Sequence, residues 1–132
     1  HVYRVTDWYG SLAGLETSAE VEAASSSVNP GTISPSWGSD DNLFGVLCGG
    51  GDDDATISSF SSGYTWNETQ AGGGTNASVE LATGYKASAA ASDDPGSITW
   101  SETESLVSFG FVVRPAAAAS GNPWYYYAQQ AA

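Results

Sequence analysis

Apolar and polar residues alternate with a period of two along most of the chain, in short runs separated by Gly, Pro, Asn and Asp. That is the pattern of half-buried β-strands joined by tight turns. Residues 2–9 form a β-branched and aromatic run closed by Gly10, and residues 19–23 alternate acidic with small apolar side chains. Strands are expected in both. Asn29-Pro30-Gly31 predicts a turn, and residues 32–37 an edge strand that tolerates Pro35. Residues 42–48, Asn-Leu-Phe-Gly-Val-Leu-Cys, are the most continuous apolar run and predict the central strand.

Gly49-Gly50-Gly51 and the three aspartates after it predict a loop, having neither a period nor side chains to bury. Short strands are expected over residues 55–60 and 64–69, and an alternating one over 76–87. In the last, Val79, Leu81 and Thr83 share one face, with Ser78, Glu80 and Ala82 on the other. Asp93-Asp94-Pro95-Gly96 is a clear turn sequence. Two strands are expected after it, over residues 97–101 and 105–114. The second places Leu106, Ser108, Gly110 and Val112 on one face and Val107, Phe109, Phe111 and Val113 on the other. About eight short strands at regular turn spacing predict one antiparallel, jelly-roll-like β-sandwich over residues 1–115. Residues 116–132 read as an Ala/Gly/Pro linker and an aromatic C-terminal arm.

Composition adds three constraints. With 132 residues, 41% of them hydrophobic, the chain is long enough for a single core. Fifteen acidic residues against three basic ones give a formal charge of -12. That sign opposes nucleic acid, whose phosphates require Lys and Arg, and opposes an anionic membrane surface equally. Cys48 is the only cysteine, so no intrachain disulfide can form, and its apolar neighbours predict a buried thiol. The chain starts at His1, so a start has been removed or an N-terminal part precedes it.

Catalytic chemistry has little to work with. His1 is the only histidine, which disfavours a Ser-His-Asp arrangement, and one Cys with one His does not make a zinc site. The pairs Glu20/Glu22 and Glu102/Glu104 are each spaced to share a strand face, but a glycosidase needs carboxyls opposed across a cleft. No enzymatic activity, and so no catalytic or cofactor residue, is expected. The carboxylates of Asp40, Asp41, Asp52, Asp53, Asp54, Asp93 and Asp94 are calcium candidates, if two loops meet at one end of a sandwich. Solvated turns, where Asp is favoured anyway, are the simpler role for them. Trp8, Trp37, Trp66 and Trp100 read as core or edge-packing residues, with an exposed sugar-stacking face as the alternative. Trp124, Tyr125, Tyr126 and Tyr127 are too apolar to lie free in water. They are expected to dock on their own sandwich or on a partner.

One stretch is more specific. Pro35-Ser36-Trp37-Gly38-Ser39-Asp40-Asp41-Asn42-Leu43-Phe44 resembles a segment of a β-sandwich family found among virion proteins of tailed phages and prophages. Ser62-Gly63-Tyr64-Thr65, Asp93-Asp94-Pro95-Gly96-Ser97-Ile98-Thr99 and Val112-Val113-Arg114-Pro115 follow in the same order and spacing. The resemblance covers roughly residues 1 to 116. It implies a virion component on the particle surface, a head-decoration subunit ahead of a tail fibre, with other virion proteins and copies of itself as partners. It also implies an N-terminal stretch of strands that this sequence lacks, and it brings no catalytic residues. A carbohydrate-binding or adhesin module, meeting a host-surface glycan, is the alternative from the same fold class.

Overall fold

The computed structural model describes residues 8–51, 55–61, 63–71 and 79–116. They form seven strands, β1 (Leu15–Thr17), β2 (Val21–Val28), β3 (Asn42–Gly51), β4 (Ile57–Ser59), β5 (Thr65–Ala71), β6 (Val79–Ser88) and β7 (Ile98–Val113), and one 3-10 turn, Leu12–Gly14. All pairs are antiparallel and belong to one sheet in the order β1-β7-β3-β6-β5, with β2 and β4 also on β7. The chain is therefore an all-β, sandwich-like fold, as its period-two pattern predicts.

β7 organises the molecule. Its C-terminal half lies between β3 and the pair β1 and β2, while Ile98–Trp100 lies between β2 and β4. On β2, Ser25 faces Glu104 and Ser27 faces Thr99, so a bulge on β7 absorbs the residues between. A bulge bends a strand and lets one sheet turn a corner. The corner brings Trp100 onto β3, with its indole about 3.5 Å from where a side chain on Gly50 would begin. Ile98 and Trp100 from one half of β7, and Leu106 and Val112 from the other, then share a core with Phe44, Val46, Cys48 and Ala82.

Among the described residues the packed core cluster lies on one face of the sheet, the inner face. Ile33, Ala55, Ile57 and Tyr64, from the connecting segments and β4, close over it. Small residues make room for large ones: a Cβ on Gly84 would sit inside the ring of Phe60, and one on Gly110 inside the Ile33 side chain. Two polar latches fix the connections. Buried Asn42 donates to the carbonyls of Gly38 (3.2 Å) and Ala90 (3.0 Å) and accepts from the Trp37 indole (2.8 Å). Buried Asp93 accepts from the Tyr64 hydroxyl (2.5 Å) and from Lys86, and its backbone pairs with Ile33. A buried polar group costs least when every lone pair and N–H is used, and both latches approach that state.

Three expectations need correction. The triglycine 49–51 is the end of β3, paired with Leu81–Val79 and Val107–Ser105. Its lack of side chains is what admits Trp100 and Leu106 against the strand. Residues 32–37 hold only an isolated bridge at Ile33 before turning, since Pro35 cannot donate and Gly38 adopts a positive φ of 78°. The two strands expected after Gly96 are one strand of 16 residues, interrupted by the bulge. The strand expected at residues 2–9 lies outside the described residues up to Asp7. Trp8 itself makes a bridge with Pro115.

Candidate functional site

The side of the sheet turned away from the core is the most unusual surface of the protein. Leu43, Gly45, Leu47 and Gly49 of β3 point there, as do Val107, Phe109, Phe111 and Val113 of β7 and Leu81, Thr83, Tyr85 and Ala87 of β6. Leu15, Leu81, Tyr85 and Val107 are each about two-fifths exposed, and Val79 at the end of β6 more than half. None of the twelve residues on the three central strands is charged, in a protein whose net charge is -12. Glu22 of β2, cross-strand from Val107, marks the rim. Beside Val107, Glu22 also helps line a shallow cavity of about 440 Å³ with Ala23, Ala24, Ser105 and Leu106. An uncharged apolar sheet face on an otherwise acidic molecule is the mark of a contact surface.

The relief of this face follows from its glycines. Phe111 lies flat on Gly45, with its ring where a Cβ would be. Gly49, two pleats along on the same face, has no such cover among the described residues. A Cβ there would meet only Leu81 Cδ1 at 3.8 Å, Val107 Cγ1 at 4.0 Å and the Glu80 carbonyl at 3.4 Å. The result is a notch one side chain deep, walled by Leu81 and Val107.

Among the described residues, the inner face holds one perturbed acid pair. Glu80 is 4% exposed, its Oε1 accepts from the Ile57 N–H at 3.1 Å, and Glu68 lies beside it on the neighbouring strand β5. Burial first, and the Glu68 carboxyl second, push its pKa up to about 7. The pair closes the core at the edge of the sheet. Cys48 is buried as expected, and desolvation pushes its thiol up to about 12.

The acids named from the sequence are not gathered into one site. Asp40 accepts from Arg114 Nε at 3.2 Å, Asp93 is held by Tyr64 and Lys86, and Asp94 closes its own turn by accepting from the Gly96 N–H at 2.9 Å. Among the described residues no three His, Cys, Asp or Glu side chains come together in a metal-binding group. Asp52, Asp53 and Asp54 lie outside the described residues, as do Trp124, Tyr125, Tyr126 and Tyr127. Glu102 and Glu104 do not share one environment: the bulge leaves Glu102 exposed and buries Glu104. Trp100 is core, and Trp37 packs against the core beneath the Arg114 guanidinium, 5.9 Å from its ring. Trp66 stands out, 38% exposed and stacked on Phe60 at 5.2 Å.

The outer face was not singled out from the sequence, although a signal for it exists. β7 carries apolar residues on both of its faces between residues 106 and 113, and the larger side chains, Phe109 and Phe111, lie on the side away from the core. No protein-family model, curated protein or solved structure matches the chain.

Proposed function

We propose that the chain is a non-enzymatic structural protein of a tailed-phage particle, displayed on the particle surface and attached through the outer face of its sheet. The observation that carries it is that face: uncharged, apolar and about two-fifths exposed at Leu15, Leu81, Tyr85 and Val107. The four motifs of the phage resemblance support it from a second direction, because they are architectural here. Trp37 and Asn42 form one latch, Tyr64 and Asp93 the other, and Val112 to Pro115 carries the chain off the end of β7. Other virion proteins and further copies of the chain are its partners. Head decoration is favoured over a tail fibre, since the sequence carries no fibre-like repeat.

Quantitative mass spectrometry of purified particles tests this. Hundreds of copies per particle are expected for head decoration, and a few to a few dozen would move the protein to the tail. Absence from particles would sink the proposal. One observation favours a second function: Trp66 and Phe60 stack nearly parallel at the edge of the sheet, with Trp66 exposed as a sugar-stacking ring must be. Quenching of tryptophan fluorescence by glycans, lost in Trp66→Ala, would identify a carbohydrate-binding module instead.

A further inference from the structure

The outer face suits one kind of occupant. Twice in this fold an aromatic ring lies flat on a strand glycine, Phe111 on Gly45 and Phe60 on Gly84. Gly49 offers the same seat between Leu81 and Val107, on the exposed side of the sheet, with no ring of a described residue in it. An aromatic side chain on an uncharged segment fits there, between Leu81 and Val107. The sequence holds one such segment beyond the described residues, Trp124-Tyr125-Tyr126-Tyr127, within a stretch from 116 to 132 that carries no charged side chain.

The direction of the chain favours the face of a neighbour. β7 ends at Val113, but the backbone stays extended and paired beyond it: Arg114 N–H donates to Gly14 at 2.7 Å, Tyr9 N–H donates to Arg114 at 3.0 Å, and Trp8 bridges Pro115. The chain therefore leaves in line with the sheet and off its end, six residues along β7 from Val107 and the Gly49 notch. Returning to its own notch means retracing roughly 20 Å of strand from Val113 to Val107, after first reversing. Residues 116–123 span about 28 Å fully extended, and a reversal uses several of them, which leaves Trp124 short of its own notch. A neighbour lying beyond the end of the sheet needs no reversal. The uncharged face also lets two molecules of charge -12 approach without opposing acids in the contact.

Resting on the docking role proposed above, we infer that the aromatic arm Trp124–Tyr127 of one copy seats on the outer sheet face of a second copy, with a ring in the notch at Gly49. The contact is heterologous, arm to face, so it closes into a ring or continues along a lattice according to the angle between copies.

Two measurements on the full chain test this. In the first, a chain with Ala128→Cys carries a nitroxide; Cys48 is buried and stays unlabelled. Mixed with methyl-labelled chain lacking the nitroxide, it is expected to broaden the Leu81 and Val107 methyl signals. Broadening confined to the molecule that carries the label would assign the arm to its own face, and no broadening in either sample would remove the arm from this face; either result overturns the inference. In the second, sedimentation equilibrium is expected to show about tenfold or more weaker self-association for Gly49→Ala and for Trp124→Ala, the scale of a buried aromatic anchor. The Gly49 substitution is sterically tolerated, since its Cβ meets only ordinary contacts. Unchanged association in both variants would also overturn it. Neither measurement involves particles: a chain absent from particles that still exchanges arms would defeat the proposed function alone, and a monomer found in particles would defeat this inference alone.

Discussion

The two faces of one sheet do opposite things with the same kinds of residue. The inner face is built around small side chains, with Ala82, Gly84, Ser108 and Gly110 leaving space that Phe60, Ile33 and Trp100 fill from above. It even takes a carboxyl group, Glu80, at the cost of a raised pKa. The outer face carries larger apolar groups, Leu43, Leu47, Phe109 and Phe111, and covers them only in part. Side-chain size therefore does not tell which face is the core. What decides is where the connections go: residues 29–37 and 55–64 cross one face and seal it with Ile33, Ile57 and Tyr64. The face they leave open keeps part of its apolar surface exposed.

The comparison makes unequal demands on the two faces, and the largest difference lies in the core. Phe44 is fully buried at the centre of the inner face, so Phe44→Ala is expected to lower stability by about 3–5 kcal/mol in urea denaturation. A loss under about 1 kcal/mol would mean that the inner face is not the core.

Glu80 gives the next largest effect, and its sign is particular. Its folded pKa of about 7 lies above the ordinary 4.5, so the folded chain holds a proton between those values that the unfolded chain has released. Its contribution is therefore greatest at low pH and falls as pH rises from about 4.5 to 7. Glu80→Gln is expected to remove that slope and to stabilise the protein at pH 8 by on the order of 2 kcal/mol. Thermal melts from pH 4 to 8 check this, and parallel profiles for the two proteins would contradict it.

A smaller cost is expected at the latch. Asn42→Ala leaves the Ala90 and Gly38 carbonyls and the Trp37 indole without their partner, which is expected to cost about 1–3 kcal/mol. Amide exchange localised to residues 36–44 and 88–92 would show the loss at that end of the sheet; a uniform change would place it elsewhere.

Much of the fold is legible in the sequence, for physical reasons that also mark the limit. The period of two in residues 79–88 and 105–113 is a property of the pleat, so strand type follows directly, as does the burial of Cys48 within an apolar run. The pleat is silent on which face turns inward. In β6 it separates Val79, Leu81 and Thr83 from Glu80 and Ala82; the structure buries Glu80 and Ala82 and leaves Val79 and Leu81 exposed. That choice depends on Gly50 and Trp100, which are distant in sequence, making room at the edge of the core. The triglycine was opaque for a related reason: a strand whose role is to be approached closely has no side-chain pattern to display. The aspartates were legible only as turn residues. Their partners Lys86 and Arg114 are brought to Asp93 and Asp40 by pairing across the sheet. The candidate site was hidden because an apolar residue reads the same in sequence whether it faces a core or a partner.

The smallest expected change in stability comes from the most direct test of the outer face. Leu81→Ser combined with Val107→Ser alters two residues that are nearly two-fifths exposed, and should cost under about 1 kcal/mol in all. Sedimentation of the full chain over a range of concentrations is the measurement to make. The wild-type chain is predicted to associate as concentration rises, and the double variant to stay monomeric with a nearly unchanged melting temperature. A wild-type chain that is monomeric throughout, or a double variant that unfolds, would contradict the assignment of this face to a partner.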